Sequence, residues 1–408
     1  MNPYLRSLIF IFMLLCYQSI DQTTRQMDVL PEDVLMQILV RLPVKCLFRF
    51  KYVSKSWCSL IKSPRFTHLH VTRAKNGDQE GVILVKRFIK DERKIVLSLH
   101  SKDESLSLQV VAPDFEVPYS TYLNMILVGT CHGIICLKSN KSGGIYLCNP
   151  ATREFLALPD RPFRCPQGYF CLVGEMGFGF DAISDDFKII TFTGISPKEY
   201  NYDLNSCKVE IYSLSTNSWR ELDPDVTLPE WVYNPRFSVL FNGCFHWCTP
   251  LITDSFGLQI LSFEFSTEQF REIQFPDGAP DTEGEYGMQK LIVLDNSLAL
   301  MWYNITGSQI SDQHFDIWVM MEYGVQESWV KKFSIGPLSG IESPLSSWNS
   351  DKQLWEMSNG QLASSAVLGD NRGSLTKYNI HGSPTTLQAD IYHESLVALG
   401  ELCGRRMN

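Results

Sequence analysis

Residues 30–71 read LPEDVLMQILVRLPVKCLFRFKYVSKSWCSLIKSPRFTHLHV, and this stretch decides how the chain divides. Leu30-Pro31-Glu32-Asp33 predicts a helix start. Proline fits a first helical turn, and two carboxylates complement the positive end of the helix dipole. Val34, Leu35, Ile38, Leu39 and Leu42 follow at steps of three and four, so they share one face, and Pro43 ends the helix. A second short helix carries Leu47, Phe50 and Val53. Ser54 is placed to cap a third, on which Trp57, Leu60 and Ile61 recur. Three short helices cannot close a useful core alone, so their leftover apolar face must lie against the rest of the chain or against a partner.

The Leu-Pro-Glu-Asp start, the Arg41-Leu42-Pro43-Val44-Lys45 hinge and the Val53-Ser54-Lys55-Ser56-Trp57 stretch resemble the F-box. That resemblance implies docking to a Skp-type adaptor and, through it, to a cullin and a RING protein of a ubiquitin ligase. The residues it implies for adaptor contact are Leu30, Pro31, Val34, Ile38, Leu39, Leu42, Pro43, Leu47, Phe50, Val53 and Trp57. The alternative from the residues alone is an N-terminal helical cap on a larger domain.

Beyond His70 the helical period gives way to short runs rich in Val, Ile, Phe, Tyr and Trp, broken by Gly, Asn, Asp and Pro, which predicts an all-β body. The body repeats itself. Ala151-Thr152-Arg153-Glu154-Phe155, Ser215-Thr216-Asn217-Ser218-Trp219 and Ser266-Thr267-Glu268-Gln269-Phe270 each set a threonine turn three residues before an aromatic, with Val325–Trp329 a looser copy. The aromatics at 155, 219, 270 and 329 recur with a period of about 60 residues. His132-Gly133, Asp185-Asp186, Asn242-Gly243, Asp295-Asn296 and Asn359-Gly360 form a second series of turn dipeptides, each followed by an apolar strand. Such a period fits four-stranded propeller blades, about six of them, the first within 81–100 and the last around 378–397. A pair of β-sandwiches is the structural alternative.

Asn149-Pro150-Ala151-Thr152-Arg153, Gly177-Phe178-Gly179-Phe180-Asp181 and Ser218-Trp219-Arg220-Glu221-Leu222 resemble the F-box-associated domain of plant F-box proteins. Cys165-Pro166-Gln167-Gly168-Tyr169, the run 317–325 (IWVMMEYGV) and Ile341-Glu342-Ser343-Pro344-Leu345 are similar to the S-locus F-box family of self-incompatibility and its S-locus-like relatives. The fold expected is a small all-α F-box of three helices followed by a large all-β domain, a kelch-like β-propeller. The divisions are 1–26 (an extension), 27–71 (F-box) and 72–408 (substrate-binding β domain). The resemblance implies a non-catalytic ligase subunit whose substrate is a basic stylar ribonuclease (S-RNase), met in the pollen tube. An S-locus-like adaptor with an unrelated substrate and an F-box protein acting outside a ligase are the alternatives.

Charge is compatible with that partner. The net formal charge of −9 divides into +4 on residues 28–70, +1 on 1–27 and −14 on the rest. An acidic body argues against nucleic acid and suits a basic protein. The acidic stretch with Asp277, Asp281, Glu283 and Glu285 is the substrate-contact candidate, and 167–175, 196–206 and 277–286 are expected to be inter-blade loops carrying recognition. Twelve cysteines without a Cys-x-x-Cys or regular spacing predict reduced, mostly buried thiols in a cytosolic setting. The apolar run 8–17 (LIFIFMLLCY) has the length of a signal-peptide core and is too short to span a membrane. No good cleavage site follows it, and Met27 stands where a chain of this family would be expected to start.

No cofactor or catalytic set is expected. Gly177-Phe178-Gly179 lacks the third glycine and the helix of a phosphate cradle and reads as a bent strand. Cys131-His132 and His246-Trp247-Cys248 lack a second ligand pair at workable spacing, and strand neighbours point to opposite faces. Asp185-Asp186 reads as a solvated turn, and Trp219, Trp247, Trp302, Trp318, Trp329 and Trp348 as blade packing. An enzyme built on the propeller is the rival class, and it would need a convergent acid–base or metal set.

Overall fold

A computed structural model describes residues 31–75, 81–101, 114–117, 125–139, 143–198, 206–223, 238–250, 258–278, 287–304, 313–349, 352–367 and 374–403. Leu30, the apolar run 8–17, Asp281, Glu283 and Glu285 lie outside the described residues. Two units separate, 1–42 and 43–408. In the first, α1 (Glu32–Leu39) starts directly after Pro31, whose carbonyl accepts from the amides of Val34 and Leu35. Glu32 and Asp33 occupy its first turn, as the dipole favours.

The second unit opens with α2 (Val44–Phe50) and α3 (Lys55–Lys62). Ser54 caps α3 by accepting from the Trp57 amide at 3.1 Å. A further helix, α4 (Pro64–Lys75), extends the helical segment beyond the three expected from sequence. Proline stands at its first position, and Ser63 Oγ accepts from the Phe66 amide at 3.2 Å.

The rest is a six-bladed β-propeller, each blade a four-stranded antiparallel sheet. Blade 1 takes β1 (Val82–Ile89), β2 (Lys94–His100) and β3 (Phe115–Glu116) from the start of the body. Blade 2 holds β4 (Met125–Cys131), β5 (Ile134–Ser139), β6 (Ile145–Asn149) and β7 (Glu154–Ala157). Blade 3 holds β8 (Tyr169–Asp181), β9 (Asp186–Pro197), β10 (Ser206–Ser213) and β11 (Ser218–Leu222). Blade 4 holds β12 (Ser238–Phe241), β13 (Cys244–Pro250), β14 (Leu258–Glu264) and β15 (Gln269–Gln274). Blade 5 holds β16 (Gly287–Leu294), β17 (Ser297–Asn304), β18 (Gln313–Met320) and β19 (Trp329–Leu338). Blade 6 holds β20 (Ile341–Asn349), β21 (Lys352–Met357), β22 (Gln361–Ala366) and β23 (Thr376–His381). The last strand, β24 (Gln388–Tyr392), returns to pair with β1 and completes blade 1 on its inner side. The inner strands β24, β4, β8, β12, β16 and β20 touch in succession around the axis. The first and last stretches of the sequence repeat are therefore one blade, in which the two ends of the body close the ring through the Val82↔Tyr392 register.

The repeat is written into the backbone as well as the sequence. His132, Asp185, Asn242 and Asp295 all have φ near +50° in the turn between first and second strands. Arg153, Asn217 and Glu268 adopt the same conformation between third and fourth strands. Phe155, Trp219, Phe270 and Trp329 all lie on outer strands, where Trp219 pairs with Tyr212 and Phe270 with Phe263. The other four named tryptophans are also in strands. Gly177 and Gly179 sit on β8, as a bent strand. A Cβ on Gly177 would meet the Trp247 ring at 2.8 Å, and one on Gly179 the Phe265 ring at 2.2 Å. Their absent side chains leave room for the aromatics of blade 4.

Several expectations are corrected. Cys165 and Cys171 form a disulfide, with Cα atoms 5.7 Å apart, because a tight turn through Pro166–Gly168 brings together two cysteines that belong to no wider framework. The described cysteines otherwise are free, and Cys131, Cys136, Cys148 and Cys244 are buried. Residues 169–175 are strand, not loop, since β8 and β9 pair as far as Tyr169↔Pro197. Asp186 is not solvated: it is buried and accepts from Ser213 Oγ at 2.5 Å and from the Ser215 amide and hydroxyl at 2.8 and 2.9 Å. Asn359-Gly360 joins second to third strands, so it lies at the ring end opposite the other four dipeptides.

Blades 3 and 4 share a buried ionic network. Lys188 Nζ on β9 reaches Asp181 and Glu268 at 2.7 Å each, and Arg220 pairs with the same Glu268. Burial pushes the Asp181 carboxyl upward, but the bonds from Lys188 and Ser184 outweigh it and hold the group well below the ordinary carboxylate range.

Candidate docking surfaces

Two surfaces stand out, one on the helices and one on the ring. On α1 the buried side is Met36 and Leu39. Pro31, Val34 and Ile38, spaced by three and four, form one exposed stripe, with Val34 42% and Ile38 37% exposed. In the second unit Tyr52 (89%) and Val53 (46%) project from the turn between α2 and α3. Trp57 is half-buried, edge-on to Phe50 at 5.4 Å. Leu39, Leu42, Leu47 and Phe50 are buried in the free chain, and Pro43 is half-buried. The apolar residues named from the sequence thus divide into an exposed set (Pro31, Val34, Ile38, Val53) and a set already committed to the chain's own interior. Tyr52 was not among them, because it falls off the i, i+3, i+4 stripe that the sequence advertises. Clustered exposed apolar side chains mark interaction sites.

The ring's first-to-second-strand turns face α4. Val71 of α4 shares one core cluster with Phe187, Phe178 and Val397. The opposite end bears the second-to-third connections. There β8 and β9, the longest of the described strands, overhang the other blades. A bulge between Val173 and Met176 bends the overhang, and its tip presents Tyr169 and Phe170, 41% and 37% exposed. Beneath it, Arg161 Nη1 donates to Thr193 Oγ1 at 2.9 Å and to Glu210 at 3.4 Å, while the other Glu210 oxygen takes the Phe163 amide at 3.2 Å. Lys208 lies over the Phe163 ring at 5.1 Å. The tip is thus strapped by the disulfide at one side and by this ion pair below. Within the bend, burial raises the Glu175 carboxyl to about 8 despite the nearby Lys138, whose ammonium donates to the Gly174 carbonyl at 2.7 Å. Of the acidic stretch named from the sequence, Asp277 accepts from Gln326 Nε2 at 2.8 Å, which ties it to blade 5.

Between the inner strands runs a cavity of about 970 Å³, with Thr130, Lys290 and Asp390 in its wall. Thr130 Oγ1 donates to Asp390 at 3.1 Å, and Lys290 Nζ donates to the Pro344 carbonyl at 2.7 Å. Among the described residues no group of three or more His, Cys, Asp or Glu could hold a metal ion. His246 is buried, which lowers it to about 4 and keeps the ring neutral, and its Nε2 lies 2.8 Å from Tyr323 Oη. That is a satisfied structural histidine linking blade 4 to the 321–325 turn.

A helical head with an exposed apolar stripe thus precedes a six-bladed propeller. Residues 27–69 match the F-box domain and 85–398 the F-box associated beta propeller domain, so the chain belongs to the F-box proteins of that type. It is 28% identical to the F-box protein CPR1 of Arabidopsis thaliana over 91% of this chain and 89% of that one. It is 29% identical to the F-box/kelch-repeat protein At3g23880 of the same plant, over 81% and 86% of the two chains. F-box adaptor proteins are generally non-catalytic. The F-box implies binding of a Skp-type adaptor. No described helix is long and apolar enough to cross a membrane.

Proposed function

We propose that this protein is the substrate-recognition subunit of a Skp–cullin–F-box ubiquitin ligase. The observation that carries the reading is the exposed Pro31, Val34 and Ile38 stripe on the first F-box helix, apolar surface that a docking subunit would cover. The ring end opposite α4 supplies the substrate side. Catalysis in such an assembly is positioning: the receptor raises the effective concentration of substrate lysines at a charged conjugating enzyme, and other subunits perform the transfer. Division into an F-box at 27–71 and a substrate-binding domain at 72–408 follows from this reading, as does a cytosolic working place.

The narrower proposal is a self-incompatibility receptor whose target is a basic S-RNase in the pollen tube. It rests on the S-locus-like stretches at 165–169, 317–325 and 341–345 and on the −14 charge beyond residue 70. Two of those stretches are structured surface features, the disulfide-strapped tip and the 321–325 turn. Reconstitution of the full chain with adaptor, cullin, RING protein and conjugating enzyme tests both levels. Ubiquitin chains on an S-RNase support the narrow reading. Chains on another captured protein support the ligase alone. Adaptor binding with no transfer to any captured protein would leave a non-ligase F-box protein.

A further inference from the structure

The segment after β24 does more than end the ring. Tyr392, fully buried, donates its hydroxyl to Asn149 Oδ1 at 3.1 Å, and Asn149 Nδ2 donates to the carbonyls of Ser395 and Val397 at 3.1 and 2.8 Å. The Leu399 amide donates to Glu154 Oε2 at 2.8 Å. Gly133 admits the segment: a Cβ there would lie 2.3 Å from Ser395 Oγ, and φ is +77°. On its other side the segment meets the helices. The half-buried Glu394 carboxylate accepts from the Val44 amide, the first residue of α2, with Lys45 beside it. Leu396, Val397, Ala398, Glu401 and Leu402 line the same seam as Ile61, Pro64 and Val71 of α3 and α4 and as His132, Phe180 and Phe187 of the ring. Val397 and Leu399 are buried in the cluster that holds Val71.

We infer that residues 393–403 are a clamp that fixes the helical segment 44–75 to the propeller, with Asn149 its anchor on the ring and Glu394 its hold on α2. One short segment thus closes the ring and sets the angle at which the helices leave it. This rests on the ligase reading for its purpose: helices 44–75 are held in one orientation against the ring that receives the substrate. Glu394 is then a positioning residue, acting through α2, and it touches no substrate.

Hydrogen exchange on the full chain bound to its adaptor reads the clamp directly. Glu394→Ala removes the acceptor for the Val44 amide and leaves the Asn149 contacts intact. Amides of 44–50 and 64–71 should exchange at least tenfold faster, while β13 and β14 in blade 4 stay unchanged. Glu394→Gln, which keeps an acceptor oxygen, should restore most of the protection. Asn149→Ala is expected to loosen both seam and ring closure, and it serves only as the upper bound. Unchanged exchange at 44–71 in Glu394→Ala, or equal loosening across blade 4, overturns the clamp. In the reconstituted ligase with S-RNase as the probe substrate, Glu394→Ala should slow transfer several-fold at unchanged affinity for the ribonuclease. If the wild-type chain modifies nothing, the ligase reading fails while the exchange result still decides the clamp.

Discussion

Gly179→Ala is the sharpest test of how the blades are fitted together. A Cβ at this position falls 2.2 and 2.3 Å from two carbons of the Phe265 ring. Ordinary contact begins at 3.4 Å, so the ring or the strand must yield by more than the few tenths of an ångström that a neighbour can give. Phe265 is fully buried and packs edge-on against Phe263 at 5.4 Å, so it has nowhere to go without disturbing the blade 3–blade 4 interface. Overpacking of this kind costs about 1–3 kcal/mol, and a clash with a rigid ring belongs at the upper end. At about 2 °C per kcal/mol for a large domain, about 3 kcal/mol lowers the melting point by about 6 °C. Calorimetry or fluorescence-detected melting of the full chain measures it, with Gly400→Ala, whose Cβ would meet nothing within 4 Å, as control. Phe265→Leu in the Gly179→Ala background should relieve the clash and give a coupling of at least about 1 kcal/mol in a double-mutant cycle. A shift under about 1 °C, or strictly additive effects, refutes the packing argument.

Three further outcomes follow from the same structure. Lys188→Met strips the shared cation from Asp181 and Glu268 and should cost about 3–5 kcal/mol, the usual penalty for breaking one side of a buried ionic cluster, read as a lowered denaturation midpoint. Asp181 is held below its unfolded pKa, so its contribution is complete above about pH 4 and is lost as the pH falls through the folded value. Melting between about pH 5 and about pH 2 should therefore fall more steeply for the wild type than for Lys188→Met. Leu47→Asp places a charge at a fully buried site and should unfold the helical segment, whereas Val53→Asp, 46% exposed, should leave the melting point within about 1 °C.

The propeller was legible because its repeat is local. Blades 2 to 5 each carry their own turn residue and outer-strand aromatic, and positive φ at His132, Asp185, Asn242 and Asp295 is what Asn, Asp and His tolerate best. The merger of the first and last stretches into blade 1 was not legible, because pairing Val82 with Tyr392 leaves no mark at short range. The same holds for the clamp: Asn149 stood out in its motif, but its partners Ser395 and Val397 lie at the other end of the body. The overhang at 169–175 read as loop because Gly168 precedes and Gly174 interrupts a strand whose tip is exposed on both faces. Helical periodicity found the apolar face of the head but could not divide Val34 and Ile38 from Leu39 and Leu42, since all share one stripe and only the packed structure says which are already covered.

Direct binding of the full chain to a Skp-type adaptor, with wild type beside the double substitution Val34→Asp and Ile38→Asp, tests the central claim most closely. Both positions are exposed, so the variant should keep the wild-type melting point and circular dichroism spectrum while its adaptor affinity falls at least a hundredfold. A folded variant that binds the adaptor as tightly as the wild type would contradict the account.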